Sequence, residues 1–584
     1  MRRRSFLSIA LTIALAACAS GPLSSNTAPT PPTNPGMVSA ADPRAVEAGL
    51  EMLRRGGTAT DAAIATMMVL GLVEPQSAGL GGGGFLLFFD KARHGVDAYD
   101  GRETAPAAAT ENLFMGPDGK PLQFFDALQS GLSTGAPSLI PMLEMAHRDH
   151  GKLPWATLFE PAIKLADEGF IVSPRLANSV ALVARMGGRL KDDPDARAYF
   201  FDAAGAPITV GFRRTNPAYA AVLRQIQTQG ARAMTQGPVA ESIIRATSRA
   251  PHPGALSLAD LASVRPRRLA AVCGPYRAYR LCGMGPPSSG ATTVLAITGL
   301  YQRARPTPVG AASADDWSAF LWASRLAYAD RDHYLADDQF VPVPVQGLFD
   351  GRYLDARARL IDIAKAPTTV APGDPSTIIG GRSLLDRWGR DATNEVGGTT
   401  HMSIVDGYGN AVAMTATVES VFGSQRMASG FMLNNQLTDF SLAPTLNGRP
   451  VANAPGPRKR PRSSMAPTIV FDRKGDLYAV IGSPGGSSII GYVAKTLIGV
   501  IDWNLSMQDA INLPNATGRT ASIGVETNRM TPELQAGLTA RGWTLRPANN
   551  EASGLNGIRV LPSGFDGGSD PRREGVAKST AAGR

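Results

Sequence analysis

The chain has 584 residues, 43% of them hydrophobic and 18% charged, and its formal net charge is +9. This composition is typical of a large globular protein and excludes an intrinsically disordered chain. The basic residues are scattered apart from Arg458-Lys-Arg460 and Arg462, and no aromatic residues are interleaved there, so we expect no nucleic-acid partner.

The N-terminus predicts an export signal. Three arginines at residues 2–4 precede an apolar run at residues 6–17, which is shorter than the roughly 20 residues that span a bilayer but typical of a signal-peptide core. The run ends in Leu15-Ala-Ala-Cys18, which resembles the lipobox of bacterial lipoproteins, where the cysteine is lipidated and becomes the first mature residue. Cleavage after Ala14-Leu-Ala16 is the alternative, and the position of one of only three cysteines favours the lipobox.

A tether is predicted to follow this signal. We assign residues 1–18 to a lipoprotein signal peptide. Residues 19–36 are rich in Ser, Thr, Pro and Asn, so we expect a disordered tether that lifts a folded domain off a membrane. These features predict an exported, periplasmic protein that a lipid on Cys18 anchors to a membrane.

Two helices and a glycine-rich loop are predicted next. Asp42-Pro43 supplies an N-cap and a first-turn proline for one helix, and Gly56-Gly57 ends it. Residues 61–73 are apolar on nearly all sides, which indicates a buried helix. The run Gly79-Leu-Gly-Gly-Gly-Gly84 lacks the Lys-Ser/Thr of a phosphate loop and leads into a strand, Phe85-Leu-Leu-Phe-Phe89. We therefore interpret it as close backbone packing near the active site rather than a nucleotide site.

The cysteines and histidines of the folded region do not indicate a metal site. Cys273 and Cys282 flank the turn of a predicted hairpin, where they form either a cross-strand disulfide or two reduced buried thiols, and export favours the disulfide. His147 and His150 are three residues apart on a predicted helix, but no third ligand is near them in the sequence, so we expect solvated histidines. We expect no catalytic metal and no cofactor.

Residues 398–419 predict a β-hairpin. Two runs with strand character flank the turn formers of residues 406–410. With that loop, Thr399 pairs with Thr417, and directly opposed residues have Cβ atoms roughly 4.5–5.5 Å apart. The two hydroxyl groups would be neighbours, and Glu419 would lie on the same face because strand side chains alternate.

This hairpin suggests a nucleophile at Thr399. A threonine hydroxyl needs a base, and a threonine at the start of a chain has its own α-amine, with a pKa of about 7.7–8.0. Thr399 is internal, so this chemistry requires cleavage of the Gly398–Thr399 bond. Gly398 has no Cβ to block attack on its carbonyl. From the hairpin alone, an ordinary threonine-rich strand is the simpler interpretation. Residues 366–397 are polar and rich in Gly, Pro and Asp, which suits a segment that holds the bond and then swings away.

Four ordered motifs resemble the γ-glutamyltranspeptidase (glutathione hydrolase) family of N-terminal-nucleophile hydrolases. They are Thr399-Thr-His-Met-Ser403, Asn434-Asn-Gln-Leu-Thr-Asp-Phe-Ser441, Arg460-Pro-Arg-Ser-Ser-Met465 and Gly482-Ser-Pro-Gly-Gly486. The resemblance runs from about Val38 to Asp570-Pro-Arg572. It implies an α+β fold, a four-layer αββα sandwich. It also implies that the precursor is cut into a large subunit, residues 37–398, and a small subunit, residues 399–584, which associate as a heterodimer and form one intertwined catalytic domain.

The resemblance also implies the roles of the site residues. Thr399 would be the nucleophile, with its hydroxyl bonded by Thr417. Backbone N–H groups of Gly485 and Gly486, near a predicted helix start, would hold the oxyanion. The substrate α-carboxylate would be bound by Arg102, Ser463 and Ser464, and the α-amine by Glu419, Gln436 and Asp439.

The implied reaction is γ-glutamyl acyl transfer without a cofactor. The substrates would be glutathione and other γ-glutamyl amides, and the acceptors water, amino acids or dipeptides. A cephalosporin acylase of the same fold is one alternative, although a glutaryl amide would leave Glu419 and Asp439 without a cation. An inert lipid-anchored binding protein is the other, and an intact Gly398-Thr399 with Thr417 argues against it.

Residues 441–457 contain no Phe, Tyr or Trp. Some relatives have a longer loop here with an aromatic tip, so we expect a more open pocket.

Overall fold

The computed structural model describes residues 34–393, 395–549 and 553–581. The predicted signal peptide, the lipobox at Cys18 and nearly all of the tether lie outside the described residues. Within these ranges, none of the helices combines the length and the apolar character needed to cross a membrane.

Two stacked sheets form the centre of the molecule. One has the strand order β22-β1-β9-β10-β2-β3-β6 and the other β21-β20-β16-β15-β8-β7. In chain order, the strands are β1 (Met37–Ala40), β2 (Gly83–Asp90), β3 (Gly95–Gly101), β4 (Phe170–Ile171), β5 (Arg213–Arg214), β6 (Arg267–Ala270), β7 (Val272–Tyr276), β8 (Tyr279–Gly283), β9 (Gly398–Val405), β10 (Ala411–Glu419), β11 (Met427–Ala428), β12 (Phe431–Met432), β13 (Thr445–Leu446), β14 (Arg449–Pro450), β15 (Thr468–Phe471), β16 (Leu477–Gly482), β17 (Ala516–Thr517), β18 (Ser522–Val525), β19 (Thr544–Pro547), β20 (Asn556–Leu561), β21 (Gly564–Ser569) and β22 (Val576–Ser579).

Helices cover the outer face of each sheet. In chain order, they are α1 (Pro43–Arg54), α2 (Ala59–Val73), α3 (Phe124–Leu128), α4 (Leu139–His150), α5 (Glu160–Glu168), α6 (Pro174–Arg185), α7 (Pro194–Phe200), α8 (Pro217–Gln229), α9 (Arg232–Thr235), α10 (Gly237–Thr247), α11 (Leu258–Ala262), α12 (Gly290–Ala304), α13 (Ala314–Tyr334), α14 (Gly351–Ala358), α15 (Pro375–Ile378), α16 (Ile489–Ile501), α17 (Met507–Asn512) and α18 (Pro532–Ala540). Helices α1 and α2 pack on the β9–β10 sheet, α12 and α16 pack on the other sheet, and α13 packs against α12. The predicted αββα sandwich is confirmed.

Alternation along β9 separates an apolar face from a polar one. Met402 and Ile404 join the core beneath α1 and α2. His401 and Ser403 point between the sheets, where His401 bonds the Thr415 hydroxyl at 2.8 Å and the Ser403 hydroxyl donates to the Asn556 carbonyl at 2.9 Å. Complete burial lowers the pKa of His401 to about 3, so the ring is neutral. These bonds fix the strand that begins at Gly398.

The predicted hairpin register is confirmed, with one local correction. Thr417 pairs with Thr399, as the loop position predicts. The one difference is a β-bulge, which shifts the register after Thr417 and pairs Glu419 with Gly398. Glu419 nevertheless lines the same pocket as Thr399 and Thr417.

The glycine run packs against this hairpin. β2 begins at Gly83, which pairs with Thr417. A β-carbon on Gly82 would strike the Thr417 carbonyl, and one on Gly81 would strike the carbonyl of Met432. Close backbone approach near the site, rather than phosphate binding, therefore explains the glycines.

The cysteines and the two helical histidines all have partners. The structure joins Cys273 and Cys282, opposite each other on β7 and β8, in a disulfide. His147 bonds the Leu153 carbonyl at 2.9 Å. His150 bonds the Tyr99 hydroxyl at 2.8 Å. The expectation of solvated histidines is wrong, because both rings turn back from α4 onto neighbouring elements.

Candidate active site

The strand positions of Thr399 and Thr417 put two hydroxyl groups beside the Gly398–Thr399 peptide bond. The two Oγ atoms are 3.0 Å apart, and the Thr417 hydroxyl donates to the Gly398 carbonyl oxygen at 3.1 Å. Because a hydroxyl has one proton, Thr399 is then the donor between the two threonines. The Thr399 oxygen therefore lies next to a carbonyl that Thr417 polarises.

Gly398 fits this position because the opposite backbone leaves no room for a side chain. A β-carbon on Gly398 would lie 2.6 Å from the Glu419 carbonyl oxygen and closer still to the backbone of Ser420. Glu419 is at the bulge with a φ of 79°, a left-handed conformation that is uncommon for residues other than glycine. Its N–H donates to Thr417 Oγ at 2.8 Å, so the bulge also fixes the Thr417 hydroxyl.

A pocket lies beside the threonine pair. It is lined by Arg102, Glu395, Val396, Thr399, Thr417, Glu419, Gln436, Asp439, Ser463, Ser464, Met465, Gly486 and Ile489. The structure thus brings together every residue predicted for catalysis or substrate binding except Gly485. Glu395, Val396, Met465 and Ile489 are lining residues that the sequence analysis missed.

Gly485 and Gly486 form the turn that precedes α16. Their φ angles are 134° and 56°, which glycine adopts without strain. A β-carbon on Gly485 would lie 2.5 Å from the Tyr492 ring, so this residue packs against α16. Gly486 lines the pocket and begins a 3-10 turn, Gly486–Ser488. Of the two, Gly486 is better placed for its N–H to reach a bound oxygen.

Three buried polar atoms in the pocket wall have no hydrogen-bond partner among the described residues. They are Arg102 Nη1, Asp439 Oδ1 and Gln436 Oε1. The other atoms of these groups are occupied: Arg102 Nη2 donates to Asp439 Oδ2 at 2.6 Å, and Gln436 Nε2 donates to the same oxygen at 2.8 Å. Unpaired buried polar atoms are costly, and they commonly mark a binding site. Here one donor and two acceptors remain available to a ligand.

Two of the three carboxyl groups that line the pocket, those of Glu419 and Asp439, have raised pKa values. Burial, followed by repulsion from Asp439, raises the pKa of Glu419 well above its ordinary value. Burial raises the pKa of Asp439 to about 6, although the Arg102 guanidinium opposes the shift; the Glu395 carboxylate adds to it. A cation placed between Glu419 and Asp439 would relieve this repulsion.

The two serines are already bonded within the uncut chain. Ser463 Oγ accepts from the Met465 N–H at 3.1 Å. The Ser464 hydroxyl donates to the Glu395 carboxylate and accepts from Arg331 at 2.5 Å. In this state, the Ser464 hydroxyl therefore binds the Glu395 carboxylate.

Arg331 is a supporting residue that the sequence analysis missed. It lies in α13, where nearly every residue is buried, and it also donates to Asp332 at 2.8 Å. The sequence feature that could have identified Arg331 is the triplet Asp330-Arg331-Asp332 in a helix that otherwise faces inward. Buried charges are normally paired, so this triplet indicates a buried ion-pair network.

Comparisons with known proteins agree with this geometry. The family model described as gamma-glutamyltranspeptidase matches residues 45–580. The chain belongs to the gamma-glutamyltranspeptidase family. It is 35% identical over 549 residues to a glutathione hydrolase proenzyme of Escherichia coli (strain K12), covering 92% of this chain and 90% of that protein. The resemblance predicted from the four motifs is confirmed, and the chain is an enzyme of the γ-glutamyl hydrolase and transferase kind.

Some relatives of this chain are named as acylases. It is 31% identical over 538 residues to the acylase ACY 1 proenzyme of Pseudomonas sp. (strain SE83), covering 91% of this chain and 90% of that protein. The crystal structure of a cephalosporin acylase from Bacillus halodurans superposes with a TM-score of 0.81 over 97% of this chain and 99% of that one, at 24% identity. At that identity, the superposition supports the shared fold alone.

Proposed function

We propose that the chain cuts itself between Gly398 and Thr399, and that the new N-terminal Thr399 hydrolyses and transfers γ-glutamyl groups of glutathione and related amides. The observation that carries this proposal is the threonine pair at the scissile bond, which adjoins a pocket with one unpaired donor and two unpaired acceptors. Family membership supports the general reaction.

Self-cleavage would proceed as an acyl shift from nitrogen to oxygen. Thr399 Oγ attacks the Gly398 carbonyl carbon, and the Thr417 hydroxyl stabilises the developing oxyanion. The C–N bond then breaks, and the nitrogen takes the proton that the Thr399 hydroxyl gives up. Water hydrolyses the resulting ester, which leaves a carboxylate on Gly398 and a free amine and hydroxyl on Thr399.

Acyl transfer would reuse the same hydroxyl. The Thr399 α-amine, with an ordinary pKa of about 7.7–8.0, accepts the hydroxyl proton as Oγ attacks the γ-carbonyl of the donor. The Gly486 N–H would bind the oxyanion, with Gly485 completing the turn. The amine delivers the proton to the leaving group, and a γ-glutamyl ester remains on Thr399. Water or the amine of an amino acid or dipeptide then takes the acyl group.

The pocket suits the zwitterionic end of a γ-glutamyl donor. A guanidinium N–H of Arg102 would bind the α-carboxylate, together with Ser463 and Ser464. Asp439 Oδ1, Gln436 Oε1 and Glu419 would surround the α-ammonium. This complementarity favours γ-glutamyl over glutaryl amides, which lack the ammonium. The acylase alternative is retained because relatives with that name span most of the chain.

The proposal includes two associated fragments and an exported, lipid-anchored protein. Residues 37–398 and 399–584 would remain together as a heterodimer, since the seven-stranded sheet contains strands from both sides of the cut. The sequence of residues 1–18 supports export and lipidation at Cys18, with residues 19–36 as the tether.

We expect a strong preference for donors with an α-ammonium. A site built to bind a polar group rejects an analogue that lacks it, so kcat/KM for a γ-glutamyl anilide should exceed that for a glutaryl anilide at least about 100-fold. Initial rates with both anilides, with and without glycylglycine as acceptor, measure this preference.

A double variant supplies the control for this preference. Glu419→Gln with Asp439→Asn keeps the side-chain size and removes both charges, so it should lower the γ-glutamyl rate and bring the two rates closer together. Equal rates for both anilides in the wild-type enzyme would favour the acylase function instead.

The pH dependence of kcat/KM should report at least two groups, Asp439 and the Thr399 amine. Asp439 is neutral below its pKa of about 6 and then no longer attracts the substrate ammonium. After cleavage, Glu395 would leave the pocket and no longer repel Asp439, so the pKa of Asp439 in the active enzyme should be about 6 or lower. The Thr399 amine must also be unprotonated. The logarithm of kcat/KM should therefore rise with a slope of at least two at low pH in the wild type, and ionisation of Glu419, whose pKa is also raised, adds to the rise. Asp439→Asn should lower the slope by one, and both profiles should level off once the amine is unprotonated. Identical profiles would exclude Asp439 from ammonium binding.

A further inference from the structure

The segment before the scissile bond passes through the proposed substrate pocket. Glu395 and Val396 both line it, although they belong to the fragment that ends at Gly398. A β-carbon on Gly486 would strike the Glu395 carbonyl, so the segment backbone lies directly on the turn assigned to the oxyanion.

Glu395 places a carboxylate on Ser464, one of the three residues assigned to the substrate carboxylate. Its side chain is fully buried, accepts the Ser464 hydroxyl, and pairs with Arg331 and, at 3.5 Å, with Arg462. Burial raises its pKa, but the guanidinium groups of Arg331, Arg462 and Arg519 outweigh this and hold the pKa at about 2. The group is therefore charged at every physiological pH, as a substrate α-carboxylate would be.

Val396 places an N–H donor where the substrate ammonium is expected. It donates to Glu419 Oε1 at 3.1 Å, while Asn435 occupies the other oxygen of that carboxylate at 2.5 Å. The uncut chain thus fills part of each subsite with its own atoms: Glu395 binds Ser464, and Val396 binds Glu419.

We propose that Glu395 and Val396 act as an internal stand-in for the γ-glutamyl donor, with Glu395 as a positioning residue for self-cleavage. The inference rests on the proposed self-cleavage and donor pocket. Anchoring the Glu395 carboxylate holds the three residues that follow, so that the Gly398 carbonyl stays against Thr417. Cleavage gives the segment a free end, and its departure leaves Ser464 and Glu419 Oε1 open to the donor.

The test measures the rate at which the two fragments appear in freshly folded chain. Glu395→Ala should slow self-cleavage about 10- to 100-fold, since a charge-assisted bond is lost from the positioned state. Asp386→Ala is the matched control: it removes a carboxylate from the same segment, but one that pairs with Arg449 on the surface. It should be cut at the wild-type rate. Cleavage of Glu395→Ala at the wild-type rate would overturn the inference.

A free carboxylate separates positioning through the chain from simple filling of the subsite. Acetate can enter the emptied subsite of Glu395→Ala, but it is not joined to Gly398, so it should raise the thermal stability of the variant without restoring the cleavage rate. Acetate that restores the cleavage rate would overturn the inference, because a carboxylate free of the segment would then be sufficient.

A second variant covers the case in which the alanine protein does not fold. Glu395→Gln keeps the side-chain volume, and Arg331 and Arg462 remain paired with Asp332 and Asp391. It should also be cut about tenfold more slowly, and a wild-type rate would count against the proposal. Wild-type chain that neither cuts itself nor turns over a γ-glutamyl anilide would refute the proposed function itself, which is a different result.

Discussion

Thr399→Ala is expected to remain a single uncut chain without γ-glutamyl transfer activity. The variant has no hydroxyl to attack the Gly398 carbonyl, so neither the new N-terminus nor the α-amine base forms. Loss of a nucleophile typically lowers kcat by more than about 10⁴-fold, and here Glu395 would also remain in the wall of the donor pocket. A denaturing gel and an assay with a γ-glutamyl anilide measure both effects on one preparation.

The neighbouring residue provides a matched control. Thr400→Ala makes the same change one position along β9, where the hydroxyl lies on the opposite face, 3.5 Å from Glu74. This variant should be cut and should be active. Two fragments from Thr399→Ala would show that another group, or a protease, cuts the chain.

Thr417→Val is expected to slow self-cleavage about 10²- to 10³-fold, the usual effect of removing one oxyanion donor. Valine keeps the shape of threonine but cannot donate to the Gly398 carbonyl or bond Thr399 Oγ. The Glu419 N–H also loses its acceptor, so we expect the free energy of unfolding to fall by about 1–3 kcal/mol. Fragment time courses and thermal unfolding measure the two effects separately.

A serine variant at the same position tests whether the hydroxyl itself is needed for self-cleavage. Thr417→Ser retains the hydroxyl and should be cut at a rate close to that of the wild type. If valine and serine variants are cut at the same rate, the Thr417 hydroxyl does not take part in the reaction.

The central hairpin could be predicted from sequence because its determinants are local. Turn formers at residues 406–410 set the loop, and the strict two-residue alternation of a strand then fixes Thr399 opposite Thr417. The motif resemblance added Arg102 and the other pocket residues, which lie too far apart in the chain for any periodicity to connect them.

The missed features depend on contacts between distant segments. The bulge at Glu419 shifts the pairing by one residue beside Gly398, and alternation within one strand cannot reveal it. Glu395 lies in a stretch whose composition predicts only a loop, and its partners Arg331 and Ser464 are 64 and 69 residues away. Buried ion pairs of this kind become visible only when the segments are placed in space.

N-terminal sequencing of the small fragment from active enzyme tests the central claim most directly. An N-terminal nucleophile at Thr399 predicts a fragment that begins Thr-Thr-His-Met-Ser, paired with a large fragment that ends at Gly398. Active enzyme whose Gly398–Thr399 bond is intact, or whose new N-terminus lies at any other residue, would contradict the account.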